Sequence, residues 1–354
     1  MLSFEIKKIL SLRTFVFSVS SMLVILIVMS FIISGKIGTL MDREDFGEFI
    51  EYSEENSQLV KDEYANYMNE MINADGDMDK IAGIESHYEQ IIRIRLFYEK
   101  IDSRKKNLNI MKEYDNWNTD IKYSYDLNEE YLVGDYSLWD IFLHRPLYVI
   151  ASIIIHTLLA ILVMTSDNYV GNKGVLYLTK KGKKKIYKSK LIILMLFPIV
   201  ISTLCFLIQI IIFSINGLEL SLMRGGLFNI YGFLMAPSYM SIGRYVLVSL
   251  FGTIIVNMLI SAATYFVSLL SEKKILICGG VVILIVVAIM MKEIYQYSPA
   301  YLVNPAYFFE NMRECRVGNM VIHKYLILLL NAIIIGMVFF GGTKLINRIN
   351  REKL

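Results

Sequence analysis

"LTKKGKKKIYKSKLIILMLFPIVISTLCFLIQIIIFSI" (Leu178–Ile215) joins seven lysines to an unbroken apolar run. Alone, the lysine block would read as a nucleic-acid patch or a localisation signal. The apolar run that follows, Leu191–Ile215, changes that reading. A bilayer core of about 30 Å needs about 20 apolar helical residues at 1.5 Å each. A lysine cluster at the foot of such a run marks the cytoplasmic end of a membrane span. No basic domain surrounds the block, so no nucleic acid is expected as a partner.

The same pattern recurs along the chain. Hydrophobic residues make up 55% of 354 and charged ones 19%, against about 25% charged in ordinary soluble domains. Long uncharged runs occupy Thr14–Ser34, Leu147–Thr165, Tyr245–Leu270 and Tyr325–Gly342. A slightly shorter one, Ile275–Met291, carries no ionisable side chain except Cys278. The expectation is an all-α polytopic membrane protein with six transmembrane helices at 14–34, 147–165, 191–215, 245–270, 275–291 and 325–342. The first run is too long for the apolar core of a secretory signal, about 7–15 residues, and reads as an uncleaved anchor.

"GGLFNIYGFLMAPSYMSI" (Gly225–Ile242) is apolar but broken by glycines and Pro237, and a seventh span there would put the chain ends on opposite sides. Charge argues for six. With six spans the inner segments 1–13, 166–190, 271–274 and 343–354 hold 17 of the 36 Lys and Arg residues, and the outer loops 216–244 and 292–324 hold six. That asymmetry places both termini in the cytoplasm. Gly225–Ile242 then reads as an interfacial or re-entrant piece, and "SPAYLVNPAYFF" (Ser298–Phe309) as another, giving short re-entrant outer helices before helix six.

Between the first two spans, residues 35–146 form an outside domain. Its 35–145 stretch carries 25 acidic and 13 basic residues. Helical periodicity appears in Phe46, Phe49, Ile50, Val60, Tyr64, Tyr67, Met68, Met71 and Ile72, and again in Ile81, Ile84, Tyr88, Ile91, Ile92, Tyr98 and Ile101. "NADGDMD" (Asn73–Asp79) separates the two, so a helical hairpin is expected, with a weaker third stretch through Trp117 and Tyr131. The "DGDMD" run lacks the spacing and terminal Glu of an EF-hand, and helix caps in a turn explain it more simply. Cys205 and Cys278 lie in spans and act as small apolar residues.

Catalytic signatures are missing from the sequence: no G-x-x-x-x-G-K-[ST], no H-E-x-x-H, no G-x-S-x-G. His156 lies within a span, where an ionisable group is a functional candidate; the plainer reading is one hydrogen bond to a neighbouring helix. Asp, Glu, Lys and Arg are missing from mid-span positions, which argues against an ion-coupled carrier.

Three segments carry a family resemblance. "FEIKKILSLRTF" (Phe4–Phe15) is an amphipathic stretch with Glu5, Lys7 and Lys8. "SDNYVGNKGVLYLTKKGKKKIYKSK" (Ser166–Lys190) joins spans two and three, and the third is the apolar outer segment with Pro299 and Pro305. The layout resembles the permease subunit of type-2 ABC export systems. The likeness covers the membrane part and not the outer domain, and Asp167 stands where family loops commonly open with Glu. It implies a cytoplasmic interface helix at 1–13 and a coupling loop at 166–190. The ATPase-facing residues would be Glu5, Lys8, Asp167, Tyr169, Val170, Gly174, Leu176, Tyr177 and Leu178. It further implies two copies of a separate ATPase subunit holding ATP and Mg, with no cofactor and no enzymatic activity in this chain. A second permease chain, as homodimer or heterodimer, completes the complex.

Polar mid-span residues suggest a path: His156, Gln209, Asn257, Ser261 and Tyr265. Such a path suits an amphipathic solute such as a peptide, toxin or antimicrobial. Helix–helix hydrogen bonding accounts for the same residues equally well. The alternative function is a non-transporting receptor or sensor that detects a ligand with the acidic outer domain.

Overall fold

The computed structural model describes residues 13–35, 53–74, 77–113, 136–166, 180–230, 240–270, 274–294, 314–317 and 320–352, with 233, 236–237, 298 and 301–302. The described chain is predominantly helical. α1 is Arg13–Ser34, α2 Glu54–Asn73, α3 Met78–Glu113, α4 Ser137–His144, α5 Leu147–Thr165 and α6 Lys180–Ile215. α7 is Ile242–Leu270 and α8 Lys274–Ile294; a two-stranded hairpin, β1 Glu314–Val317 and β2 Met320–His323, precedes α9, Lys324–Glu352.

Five stretches are long and apolar enough to cross a bilayer: Val16–Ser34, Ser137–Thr165, Ile186–Ile215, Ile242–Leu270 and Tyr325–Thr343. The sixth expected span falls on α8, whose apolar stretch Ile275–Val287 is shorter. Their outer faces are apolar where nothing packs on them, as at Val24, Val28, Ile283, Ile334 and Val338.

α2 and α3 form the expected hairpin. Ser53 caps α2 by accepting from the Asn56 amide at 2.9 Å, and the Asp77 carboxylate accepts from the Asp79 and Lys80 amides at the start of α3. These caps satisfy amides that a helix start leaves unpaired. The two helices run antiparallel: Tyr88 donates to Glu70 at 2.9 Å near the tip, and Lys61 pairs with Asp102 at 2.9 Å further down. Val60, Ile91, Ile94, Tyr98 and Ile101 are buried between them. Two expected core positions differ. Met68 is 43% exposed and Ile72 is 72% exposed, because they lie to one side of the α2 stripe that faces α3. The third stretch through Trp117 and Tyr131 lies outside the described residues.

α5, α6 and α7 pack on one another and form the centre of the bundle; α1 lies against α5 and α6, while α8 and α9 lie against α7. Contacts fix helix directions. At the hairpin end, Asn216 after α6 donates to Ser34 at the end of α1 (2.8 Å). At the same end, Tyr148 at the start of α5 bonds Ser249 near the start of α7, and Tyr325 at the start of α9 donates to Val248. At the opposite, lysine end, Lys190 of α6 meets the last turn of α5, and Phe266 late in α7 packs on Phe339 late in α9. α7 and α9 therefore run in the same direction. α8, between them, begins beside the end of α7, where a Cβ on Gly280 would press on Val267.

Gly225–Ile242 is a closed loop at the hairpin end. Its neck is tied by Ile242 N–H to Gly225 O (3.0 Å) and Leu227 N–H to Met240 O (2.8 Å). Phe228, Ile230, Phe233 and Ala236 are buried within it. The expected re-entrant piece Ser298–Phe309 lies mostly outside the described residues, and after it the chain forms an antiparallel pair over Glu314–His323 in register Cys315↔Ile322 and Arg316↔Val321. The physical reason is local: the β-branched residues Val317, Val321 and Ile322 flank Gly318-Asn319, a dipeptide that favours a tight hairpin turn. The lysine block, expected within a loop that ends at residue 190, is helical from Lys180 onward. Lysine is a good helix former, and extending a helix costs far less than nucleating one.

Candidate functional site

The polar residues of α5, α6 and α7 meet in one seam. His156, Ser152, Ser202, Gln209, Asn257 and Ser261 have no solvent exposure at all. Their spacing explains the convergence. Ser152 and His156 lie one turn apart on α5, and Asn257 and Ser261 one turn apart on α7, so both pairs face the same way.

Three rungs cross the seam. At the hairpin end, Gln209 Oε1 accepts from the Tyr148 amide at 2.6 Å. That amide is one of those the start of α5 leaves without a helical partner, and Pro146 before the helix offers no capping side chain. Gln209 therefore caps α5 from a different helix. Tyr148 OH and Ser249 Oγ, 2.8 Å apart, tie the same level to α7. In the middle, the Asn257 amide nitrogen donates to Ser202 at 3.0 Å and to Ser152 at 3.4 Å. Toward the lysine end, His156 Nε2 lies 2.7 Å from Ser261 Oγ, and Ser261 donates to the Leu194 carbonyl at 2.6 Å. A hydroxyl has a single proton, and Ser261 spends it on Leu194. His156 is then the donor through Nε2–H, which leaves Nδ1 as an acceptor. His156 Nδ1, Asn257 Oδ1 and Gln209 Nε2 have no partner among the described residues.

Four of the five expected path residues thus lie along one interhelical seam, in three separate hydrogen-bonded rungs. Tyr265 sits lower on α7, with its ring 6.3 Å from that of Tyr187 on α6. The expected ATPase-facing residues Glu5, Lys8, Asp167, Tyr169, Val170, Gly174, Leu176, Tyr177 and Leu178 all lie outside the described residues.

What frames that loop is described: the lysine that closes it before the third span makes a tie to α5 that sequence reading did not find. Lys190 is buried, 2% exposed, and its ammonium donates to the Met164 carbonyl at 3.3 Å. A cation there meets the negative end of the α5 dipole. Ser166 Oγ closes the same helix end on Val163 O. Lys190 was hidden among seven lysines, and its one distinguishing mark was its place directly before the apolar run.

A second cluster joins the α2–α3 hairpin to the bundle. Arg104, 1% exposed, stacks over Phe228 at 4.2 Å. Phe97 stacks on Tyr136 at 5.9 Å, and Asn229 donates to the Tyr136 hydroxyl at 3.1 Å. Trp139 on α4 donates to the Glu219 carbonyl at 2.9 Å. Burial offers Arg104 and Trp139 polar or π-face partners that keep their donors satisfied.

Five helices of spanning length, with apolar outer faces and a polar internal seam, define the class: a helical membrane protein. Comparison with protein-family models, with curated proteins and with solved structures yields no match.

Proposed function

We propose that this chain is the transmembrane permease subunit of an ATP-driven exporter whose ATPase is a separate protein, and that it moves an amphipathic solute, such as a peptide or toxin, outward. The lysine end faces the cytoplasm and the hairpin end faces outside. The helix directions support six crossings in this reading. α7 and α9 run the same way, so the chain between them has to cross back, and α8 is the described helix that lies between them.

The observation that carries the reading is the clamp around residues 167–179. Lys190 ties the start of α6 to the end of α5 on either side of that connection. A push on the connection is thereby delivered to two spans at once, and Ser261 and Asn257 pass it on to α7. A pump without its own nucleotide site needs such a protrusion. In this reading Tyr169, Val170, Leu176, Tyr177 and Leu178 enter a cleft on the ATPase, and a second permease copy completes the pathway.

The test is co-expression with any ATPase that a neighbouring reading frame encodes, followed by purification and ATP turnover in lipid nanodiscs. The ATPase is expected to co-purify, with Tyr169→Ala and Leu176→Ala lowering turnover about tenfold, the loss of one 1.4 kcal/mol contact. Unchanged assembly and turnover in both variants would overturn the coupling role. A chain that retains no ATPase yet changes conformation with an external ligand would be the receptor instead.

A further inference from the structure

Once α6 is in place, the charge at its foot is one-sided. At 3.6 residues per turn, Lys180, Lys181, Lys184, Lys185 and Lys188 fall within about 140° of arc. One side of that sector runs up the helix through Ile192 and Ile199, exposed at 38% and 44%, with Leu196, 50% exposed, about 20° beyond its edge. The opposite sector carries Ile186, Lys190 and Ile193, all buried. Lys183 and Lys190 of the block fall off the stripe.

In a bilayer, the exposed apolar sector of a span meets acyl chains. The lysines continue that sector, so they meet the headgroup layer beneath the same lipids. Counted from Leu191 at 1.5 Å per residue, Lys188 lies about 4.5 Å and Lys185 about 9 Å beyond the apolar run, and Lys180 about 16 Å. The headgroup layer is about 5–8 Å deep on each side. A lysine stem is long enough to span such distances, and along the helix axis the outermost pair lies within roughly one Debye length of the next two, about 8 Å. A protein occupant is disfavoured, since it would have to enter the bilayer to follow the stripe.

We infer that this face of α6 is a binding site for anionic phospholipid headgroups, selective for charged over zwitterionic lipid. Lys190 plays no part in it, being turned inward onto Met164. The site requires only that α6 cross the membrane; it stands or falls separately from the exporter reading, since no ATPase is involved.

The full chain is reconstituted in nanodiscs containing equal amounts of phosphatidylglycerol and phosphatidylcholine, released into mild detergent, and the retained lipids are counted by native mass spectrometry. Wild type is expected to retain phosphatidylglycerol at least about threefold over phosphatidylcholine, less than the roughly fivefold that 1 kcal/mol for a single lysine would give. The combined variant K180Q/K181Q/K184Q/K185Q/K188Q should return the ratio to near unity, while the corresponding five Lys→Arg changes and K183Q should keep it. If the glutamine variant does not insert, the wild type decides alone: raising salt from about 0.05 M to about 0.5 M must abolish the preference. A ratio that survives the glutamine changes or the salt overturns the site. So does displacement of the lipid by inorganic phosphate, which would mark a free-anion site, or capture of an acidic protein without lipid enrichment.

Discussion

α5 and α9 are both long apolar helices, and by apolar character alone both read as spans. Their surroundings are opposite. α5 is buried at Tyr148, Ser152, Ile155, His156, Leu159 and Val163, whereas α9 leaves Leu330, Ile333, Ile334, Met337 and Val338 in the open. What separates them is the placement of hydroxyl and amide side chains. Lipid is as apolar as leucine, so burial in a membrane bundle is driven by packing and by polar groups seeking partners. α5 and α7 place such groups one turn apart on one face, and α9 shows its apolar side to the lipid. Damage to the seam should therefore unfold the protein, while equal damage to the lipid-facing side should not.

The largest effect is expected where α7 meets backbone directly. A Cβ on Gly252 would collide with the Leu302 carbonyl. Gly252→Val forces that backbone away and should cost about 3 kcal/mol or more, read as loss of the folded fraction in detergent unfolding. Next is Gln209→Leu, which strands the Tyr148 amide at the start of α5 and should cost about 1–3 kcal/mol. Third, Ser261→Ala removes the acceptor of His156 and the donor to Leu194, and about 0.6–1.7 kcal/mol is expected for interhelical bonds in a membrane protein. Ile334→Ala on the open face of α9 should stay within about 0.5 kcal/mol. If Ser261→Ala proved as silent as Ile334→Ala, the seam would hold no more than the lipid-facing surface does.

Much of this contrast was legible in the residues, and the exceptions have physical causes. Leu147–Thr165 is both the expected and the observed extent of α5, because Pro146 stops the chain on one side and the apolar run ends on the other. The "NADGDMD" break likewise marked the end of α2 at Asn73 and the start of α3 at Met78. Polar mid-span residues signalled the seam, but one sequence gives no partner for any of them. Gln209 as the cap of α5 depends on a residue 61 positions away. The β-hairpin at Glu314–His323 carries a turn signal in "VGNM", but with four residues on each side it is too short for strand periodicity to stand out. Arg104 could not be singled out, for Lys105 and Lys106 beside it share its charge, and burial beneath Phe228 depends on a segment more than a hundred residues later. Periodicity reports which face is apolar; it does not report which charged residue the fold will enclose.

A pH-dependent effect, silent at neutral pH, tests the other well-packed region, the α2–α3 hairpin, against the seam. Tyr98 is buried there at 1% exposure. Burial raises its phenol to about 12, only partly offset by a hydrogen bond with Asn56. The folded value lies above the unfolded one of about 10, so folding favours the neutral phenol. Its contribution to stability is complete below about pH 10 and is lost as pH rises toward 12. A difference titration of wild type against Tyr98→Phe, followed by phenolate absorbance, should show one tyrosine ionising near 12. The wild type should also lose hairpin helicity over that interval before the variant does. A Tyr98 that titrates near 10 would mean that the hairpin interior is open to water, unlike the seam, and that its packing onto Phe228 is looser than the contacts of α5, α6 and α7.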